Sequence, residues 1–236
     1  MHNAGAESDP MPAPGLYVVA TPIGHLGDIS ARALSILRDA HAILAEDTRH
    51  TRKLLTRYDL HTPLISCHKF NEAQRTESVL QRLAEGQVLA LVSDAGTPGI
   101  SDPGTRVVAA CRAAGYPVYA VPGPSALTAA VSLCGFAGDG FVFAGFLPVK
   151  SAARRRKLSE WLAYPLPVVL YESPYRAMKL LDELIELAPE RTIFVGRELT
   201  KHYEQSLVGT ATQIRAHFEG RSTKGEWVIV IADEQD

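Results

Sequence analysis

Ala42 to Ala45 and Val88 to Val92 are apolar at every position, and WVIVIA from Trp227 to Ala232 does the same near the other end of the chain. A strand with one wet face alternates apolar and polar residues. A strand apolar at successive positions is buried on both faces, which a parallel sheet covered by helices provides. The intervening segments read as helices: SARALSILRDA, TRHTRKLLTRY, NEAQRTESVLQRLAEG and PGTRVVAACRAAG. In the third, Val79, Leu80 and Leu83 form an apolar stripe that Gly86 can cap; in the fourth, Pro103 suits the first turn and Gly115 the end. With LYVVA (Leu16–Ala20), PLIS and PVYAV (Pro117–Val121) as further strands, residues 15–122 are expected to form an N-terminal α/β domain around a largely parallel sheet. A second series, FVFAGF, PVVLYES, RTIFVG, EQSLVG and EWVIVIA, alternates with helices expected near 152–163, 174–187 and 210–218, giving a C-terminal α/β domain over residues 123–236. The joint is expected within Val121 to Gly140. Met1 to Pro14, small, polar and proline-rich, reads as a disordered lead-in.

A net charge of −2 over 236 residues excludes a globally basic nucleic-acid binder but leaves room for a local basic face. Cys67, Cys111 and Cys134 are odd in number and scattered, which suits plain buried thiols in a reducing cytoplasm. No apolar run approaches the ~18 residues of a membrane span. H-E-x-x-H and paired Cys/His spacings do not occur, so no metal is expected.

In open parallel sheets ligands sit beyond the carboxyl ends of the strands, and three unusual segments begin there. TPIGHLGD (Thr21–Asp28) follows the first strand, VSDAGTPGISDPG (Val92–Gly104) begins at the end of the fourth, and PGPSA (Pro122–Ala126) follows the fifth. Their glycines let main-chain groups approach a ligand closely. Neither the Walker A pattern nor G-x-G-x-x-G is present. The 92–104 segment has no lysine and carries Asp94 and Asp102, a poor cradle for a polyphosphate. It suits a ligand with amines, hydroxyls and positive charge, as in S-adenosylmethionine, without identifying it.

GLYVVATPIGHLGDIS, EDTRHTRKLL, VSDAGTPGISDPG, VPGPSA, YESPYR, RELTKHYEQ and KGEWVIVI, in unbroken order from Gly15 to about Ala232, together resemble the ribosomal RNA small subunit methyltransferase I family, a branch of the tetrapyrrole methylase superfamily. The resemblance implies a two-domain α/β tetrapyrrole-methylase-like fold, with a parallel N-terminal sheet, a mixed C-terminal sheet and the cofactor held in a cleft between them. It implies a homodimer that transfers a methyl group from S-adenosylmethionine to a cytidine ribose 2′-hydroxyl in small-subunit ribosomal RNA. Carried over by position, it points to Pro22, to Ala95, Gly96, Thr97 and Ile100, to Ser125 and Ala126, and to Glu172 as cofactor contacts. Some members continue beyond the last strand, whereas this chain stops at Asp236; if that segment helps to hold RNA, weaker RNA binding is expected.

Methyl transfer from a sulfonium is an in-line displacement, so the protein must mainly align the nucleophile, and a ribose hydroxyl benefits from an acceptor for its proton. Glu46 and Asp47 follow the second strand, where either could serve, or Asp47 could simply cap a helix, with Arg49 and Arg52 contacting RNA or merely solvated. Glu172 and Arg176, four apart, read either as a structural pair or as groups at the cofactor or nucleotide. Lys201 could steady negative charge on the ribose oxygen or bind phosphate. Asp47, Glu172 and Lys201 are therefore the catalytic candidates, with no ground for choosing one base. Arg154, Arg155, Arg156 and Lys157 fall near a helix start, where the macrodipole disfavours cations, a mismatch that phosphate contacts would offset. Two other readings stay open: methylation of a tetrapyrrole or other small molecule, and a catalytically silent cofactor- or RNA-binding module.

Overall fold

The computed structural model describes residues 11–233. Five strands, β1 (Gly15–Val19), β2 (Ala42–Ala45), β3 (Leu64–Ser66), β4 (Val88–Val92) and β5 (Val118–Val121), form one sheet in the order β3-β2-β4-β1-β5, with every pairing parallel. Helices α1 (Ala31–Asp39), α2 (Thr48–Arg57), α3 (Glu72–Ala84) and α4 (Thr105–Ala113) alternate with them. The fully apolar β4 shows why. Val88, Ala90 and Val92 pack with Ile36, Leu37 and Leu55 on one face, while Leu89 and Leu91 meet Val79, Leu83 and Val107 on the other. Each such leucine, lifted fully out of water, contributes about 1.5–3 kcal/mol.

The second sheet, ordered β6-β7-β10-β8-β9, contains β6 (Val142–Phe146), β7 (Val168–Glu172), β8 (Thr192–Arg197), β9 (Gln205–Thr210) and β10 (Trp227–Ile231). Only β6 and β7 run parallel; the other pairings are antiparallel, so the sheet is mixed, as expected. Helices α6 (Ser151–Leu162), α7 (Ala177–Leu187) and α8 (Ala211–His217) cover one face around Leu158, Leu180, Leu184 and Ile229. The segment expected to hold the joint, within which the two units divide between Gly123 and Pro124, also contains α5 (Ala126–Cys134), whose buried residues are Leu127, Ala130 and Cys134 and which packs on β8 and β10. Its small residues hid an ordinary helix.

The chain divides into two compact units: the residues up to Thr21 with Asp28–Gly123, and Pro22–Gly27 with the chain from Pro124 onward. The second unit thus takes six residues from the middle of the first. Two helix starts differ from expectation. α4 begins after Pro103, at an N-cap Gly104 with φ +124°, and α7 begins at Ala177 because Ser173 to Arg176 closes a turn, Arg176 N–H donating to Ser173 O at 3.0 Å. Of the lead-in, residues 1–10 lie outside the described residues; Met11 to Pro14 have no regular structure, and Ala13 O accepts from the Tyr17 hydroxyl. All three cysteines are buried and free, and burial pushes the Cys67 thiol up to about 11. No helix among the described residues is long and apolar enough to cross a membrane.

Candidate functional site

In the first unit the segment after β4 is fixed at both ends. Thr21 and Gly96 exchange main-chain hydrogen bonds of 2.9 and 3.0 Å, and the Thr21 hydroxyl donates to Ser93 O at 3.2 Å. Gly96 holds φ +76°, which a side chain would strain. This places the candidates Ala95, Gly96 and Thr97 in a loop pinned to the end of β1. Ile100 N–H donates to Thr97 O, and Ile100 lines a groove of about 340 Å³ with Val108, Val118 and Tyr119. At the far end, one carboxylate oxygen of the buried Glu72 accepts from the N–H groups of Gly104, Arg106 and Val107 at 3.1, 2.9 and 3.3 Å. Gly104 has no side chain with which to cap α4; Glu72 does so from α3, and its negative charge suits that helix terminus.

Three carboxylates gather at the neighbouring ends of β2 and β4. Asp47 caps α2: its Oδ1 accepts from Arg49 N–H at 2.8 Å, and the Arg49 guanidinium grips both oxygens at 3.1 and 2.7 Å. These hydrogen bonds hold its carboxyl well below the usual carboxylate range. An acceptor so committed is a poor base, so the capping role is the one the geometry supports for Asp47, and Arg49 is its partner. Arg52 is exposed on the same helix. Glu46 is different: burial, and behind it the charge of Asp94, raise its carboxyl above the ordinary value. Asp94 meanwhile accepts from Asp47 N–H at 3.0 Å.

The second unit holds the remaining candidates. Pro22 is buried in the six-residue segment, whose Gly24 lies against the turn after β8: a Cβ there would come within 2.5 Å of Lys201 Cγ and 2.7 Å of Thr200 Oγ1. His25 N–H donates to Thr200 Oγ1 at 3.1 Å. In that turn Glu198 and Thr200, neither of them glycine, have φ of +53° and +64°, strain that persists only where surrounding contacts impose it. Lys201 Nζ supplies two of those contacts, pairing with Glu198 at 2.9 Å and Glu226 at 3.0 Å. Gly24→Ala is therefore expected to lower turnover by roughly 10²-fold through displacement of this turn, with far-UV circular dichroism unchanged. Wild-type kinetics would show that the contact is idle.

Ser125 is the buried N-cap of α5, with no side-chain cap bond, and Ala126 is the first helical residue. The next N–H, of Leu127, donates to the Tyr171 hydroxyl at 3.0 Å. Tyr171 precedes Glu172, whose side chain has no exposed surface. Glu172 Oε1 accepts from Arg176 Nη2 at 2.6 Å and Ser173 N–H at 2.7 Å, while its Oε2 has no hydrogen-bond partner among the described residues. A buried orphan oxygen at a strand end needs a donor from elsewhere.

The arginine cluster is the main correction. Arg154, expected to touch RNA, is 1% exposed, its guanidinium held by Glu183 of α7 at 2.7 and 2.6 Å. Arg155 pairs with Glu186 at 2.6 Å and Lys157 with Glu160 at 2.8 Å. Carboxylates of α7, and Glu160 of α6 itself, supply the compensation that phosphate was expected to give. Only Arg156 of the three arginines is fully on the surface.

The tetrapyrrole (corrin/porphyrin) methylase family model matches residues 15–215. Proteins named ribosomal RNA small subunit methyltransferase I are similar throughout. The Synechocystis protein is 48% identical over 92% of this chain and 78% of its own length, and the Thermotoga maritima protein 42% identical over 93% and 99%. Among solved structures, uroporphyrin-III C-methyltransferase from Thermus thermophilus, complexed with S-adenyl homocysteine, superposes with a TM-score of 0.63 at 19% identity, covering 92% of this chain and 97% of that one.

Proposed function

Because this chain belongs to the tetrapyrrole methylase family, as one of the ribosomal RNA small subunit methyltransferase I proteins, we propose that it methylates the ribose 2′-oxygen of a cytidine in small-subunit ribosomal RNA. It is an S-adenosylmethionine-dependent methyltransferase; the cytidine 2′-oxygen is the finer part of the reading. One observation carries it: likeness to the ribosomal RNA enzymes runs through nearly the whole sequence, whereas likeness to the uroporphyrin enzyme is one of fold.

The residues fit the cofactor. The orphan Oε2 of Glu172 offers an acceptor to a hydroxyl or ammonium group, and the loop around Gly96 carries no lysine to repel a cationic ligand. Ala95, Gly96, Thr97 and Ile100, and Pro22, Ser125, Ala126 and Glu172, are the residues that would hold it. S-adenosylmethionine supplies a methyl group already activated by a positive sulfur. The protein's own task is to orient the ribose hydroxyl and accept its proton. Glu46 suits that task better than Asp47, because its raised pKa makes it the stronger base. Lys201, balanced by two carboxylates and kept protonated by them, orients rather than exchanges a proton. With Arg49, Arg155 and Arg176 engaged by carboxylates, the exposed Arg52 and Arg156 are the cationic contacts left for RNA. Two copies acting as a homodimer in the cytoplasm complete the reading.

The raised Glu46 pKa fixes the sign of a pH effect. Its protonated form is favoured in the folded protein, so base function is lost on acidification sooner than for an ordinary carboxylate. The acidic limb of kcat/KM should therefore lie above the usual carboxylate value, and Glu46→Gln should remove that limb and cost about 10²–10⁴-fold in rate. An unshifted limb in the variant would clear Glu46. The function itself is tested by incubating the protein and labelled S-adenosylmethionine with small ribosomal subunits from a strain lacking it. Recovery of 2′-O-methylcytidine from digested RNA is expected. Label on a base, or on an added tetrapyrrole alone, would overturn the reading.

A further inference from the structure

Tyr175 is 96% exposed, unusual for a large aromatic side chain in a turn that is otherwise firmly held. Pro174 precedes it. Arg176, which follows, is tied to Glu172 at 2.6 Å, and its Nη1 reaches Leu147 O at 3.4 Å. The turn is thus fastened to the segment after β6, the neighbouring parallel strand. The end of β6 and that segment present Phe146 at 53% and Val149 at 76% exposure. Phe146 owes its direction to an irregularity: the β6–β7 register shifts between Phe143 and Gly145, which puts Phe143 and Phe146 on either side of Tyr171, with centroids at 4.9 and 5.8 Å. Bulges re-aim side chains in this way.

The chain segments that carry these rings are rich in cations. Leu147 to Lys157 and Ser173 to Lys179 contain seven cations and no carboxylate. Arg154, Arg155, Lys157 and Arg176 are paired; Lys150, Arg156 and Lys179 form no ion pair among the described residues, although the charge of Arg156 helps to lower the Glu160 carboxyl. Exposed aromatic faces beside uncompensated cations are what unstacked, single-stranded nucleic acid requires, the rings taking bases and the cations phosphates.

We propose that the rim at the carboxyl ends of β6 and β7 holds an unstacked nucleotide flanking the methylation target, with Tyr175 as its stacking platform. The proposal rests on the RNA reading above and adds where the RNA lies and in what form. Glu172 and Tyr171 end β7 just below this rim, so a base stacked there neighbours the residues assigned to the cofactor. The turn is already fixed, so little ordering is needed on binding. A second copy of the chain is the competing occupant, but the cations outside ion pairs, Lys150, Arg156 and Lys179, disfavour a face that meets its own image.

The test compares wild type with Tyr175→Ala and Tyr175→Phe, using small ribosomal subunits lacking the methyl group and labelled S-adenosylmethionine. Tyr175→Ala should raise KM for subunits roughly 5- to 100-fold, with kcat changed less than twofold. The dissociation constant for S-adenosylhomocysteine and the Tm should stay at wild-type values. Tyr175→Phe keeps the ring face and should behave as wild type. Unchanged KM in Tyr175→Ala with active wild type overturns the rim alone. A raised KM accompanied by dissociation of a dimer in sedimentation assigns the surface to a second copy and also overturns it. A wild-type protein that methylates no subunit sinks the RNA reading, and the rim with it.

Discussion

Replacing Arg154 with alanine should destabilise the protein by about 3–5 kcal/mol in urea denaturation, the cost of leaving a buried charge unpaired. Arg154 and Glu183 are both almost wholly buried and joined by two short hydrogen bonds, with the Ser151 hydroxyl on the same carboxylate at 3.3 Å. Burial pushes the Glu183 carboxyl up, but the bonds from Arg154 outweigh it and leave it below its ordinary value. Wild-type Glu183 therefore contributes stability above its unfolded pKa and loses it as pH falls through the lower folded one. Without Arg154 burial is opposed only by the Ser151 hydroxyl and the charge of Arg155, so protonation relieves more of the buried charge and the deficit should shrink on acidification. Arg156→Ala, on the exposed face of the same helix, should stay within about 0.5 kcal/mol of wild type. Replacing both Arg154 and Glu183 with apolar residues of similar volume should recover most of the loss. If Arg154→Ala keeps full stability but loses RNA affinity, the pair is not structural.

Glu72→Ala should have the second large effect. It removes the common acceptor of three N–H groups at the start of α4, and a buried donor left unpaired costs about 1–3 kcal/mol. Because the same bonds anchor the far end of the loop through Gly104, affinity for S-adenosylhomocysteine should fall by about tenfold or more, a change of some 1.4 kcal/mol or greater. Glu72→Gln retains the accepting oxygen and loses only the charge facing the helix terminus, about 0.3–1 kcal/mol for a surface site and up to about 2 when partly buried. It should bind nearly as wild type. Calorimetric titration of both variants decides: unaltered affinity in Glu72→Ala would free the loop from its anchor.

Strands with two buried faces announced themselves, because β2, β4 and β10 have no polar position that a wet face would demand. The strand-end loops were equally legible through glycines that a tight turn or close approach requires, Gly96 and Gly24 among them. Electrostatic partners were not. Arg154 looked like a surface cation because its partner lies 29 residues away on another helix, and only packing brings Glu183 to it. Nothing in the local pattern marks Glu72, in the first turn of α3, as the carboxylate that serves α4. α5 was overlooked because ALTAAVSLC has a weak apolar stripe of small residues. Tyr171 gave no signal at all, since its role comes from a shifted register one strand away.

The Pro22–Gly27 segment has a consequence for biosynthesis. Residues around His25 leave the ribosome early, yet their acceptor at Thr200 is made 175 residues later. At about 5–20 residues per second this is a wait of roughly ten to thirty-five seconds, during which the parallel sheet can already condense. The segment's resting place exists only once Thr200 has been made, so the nascent polypeptide cannot settle this part of its fold while the intervening 175 residues are still being added.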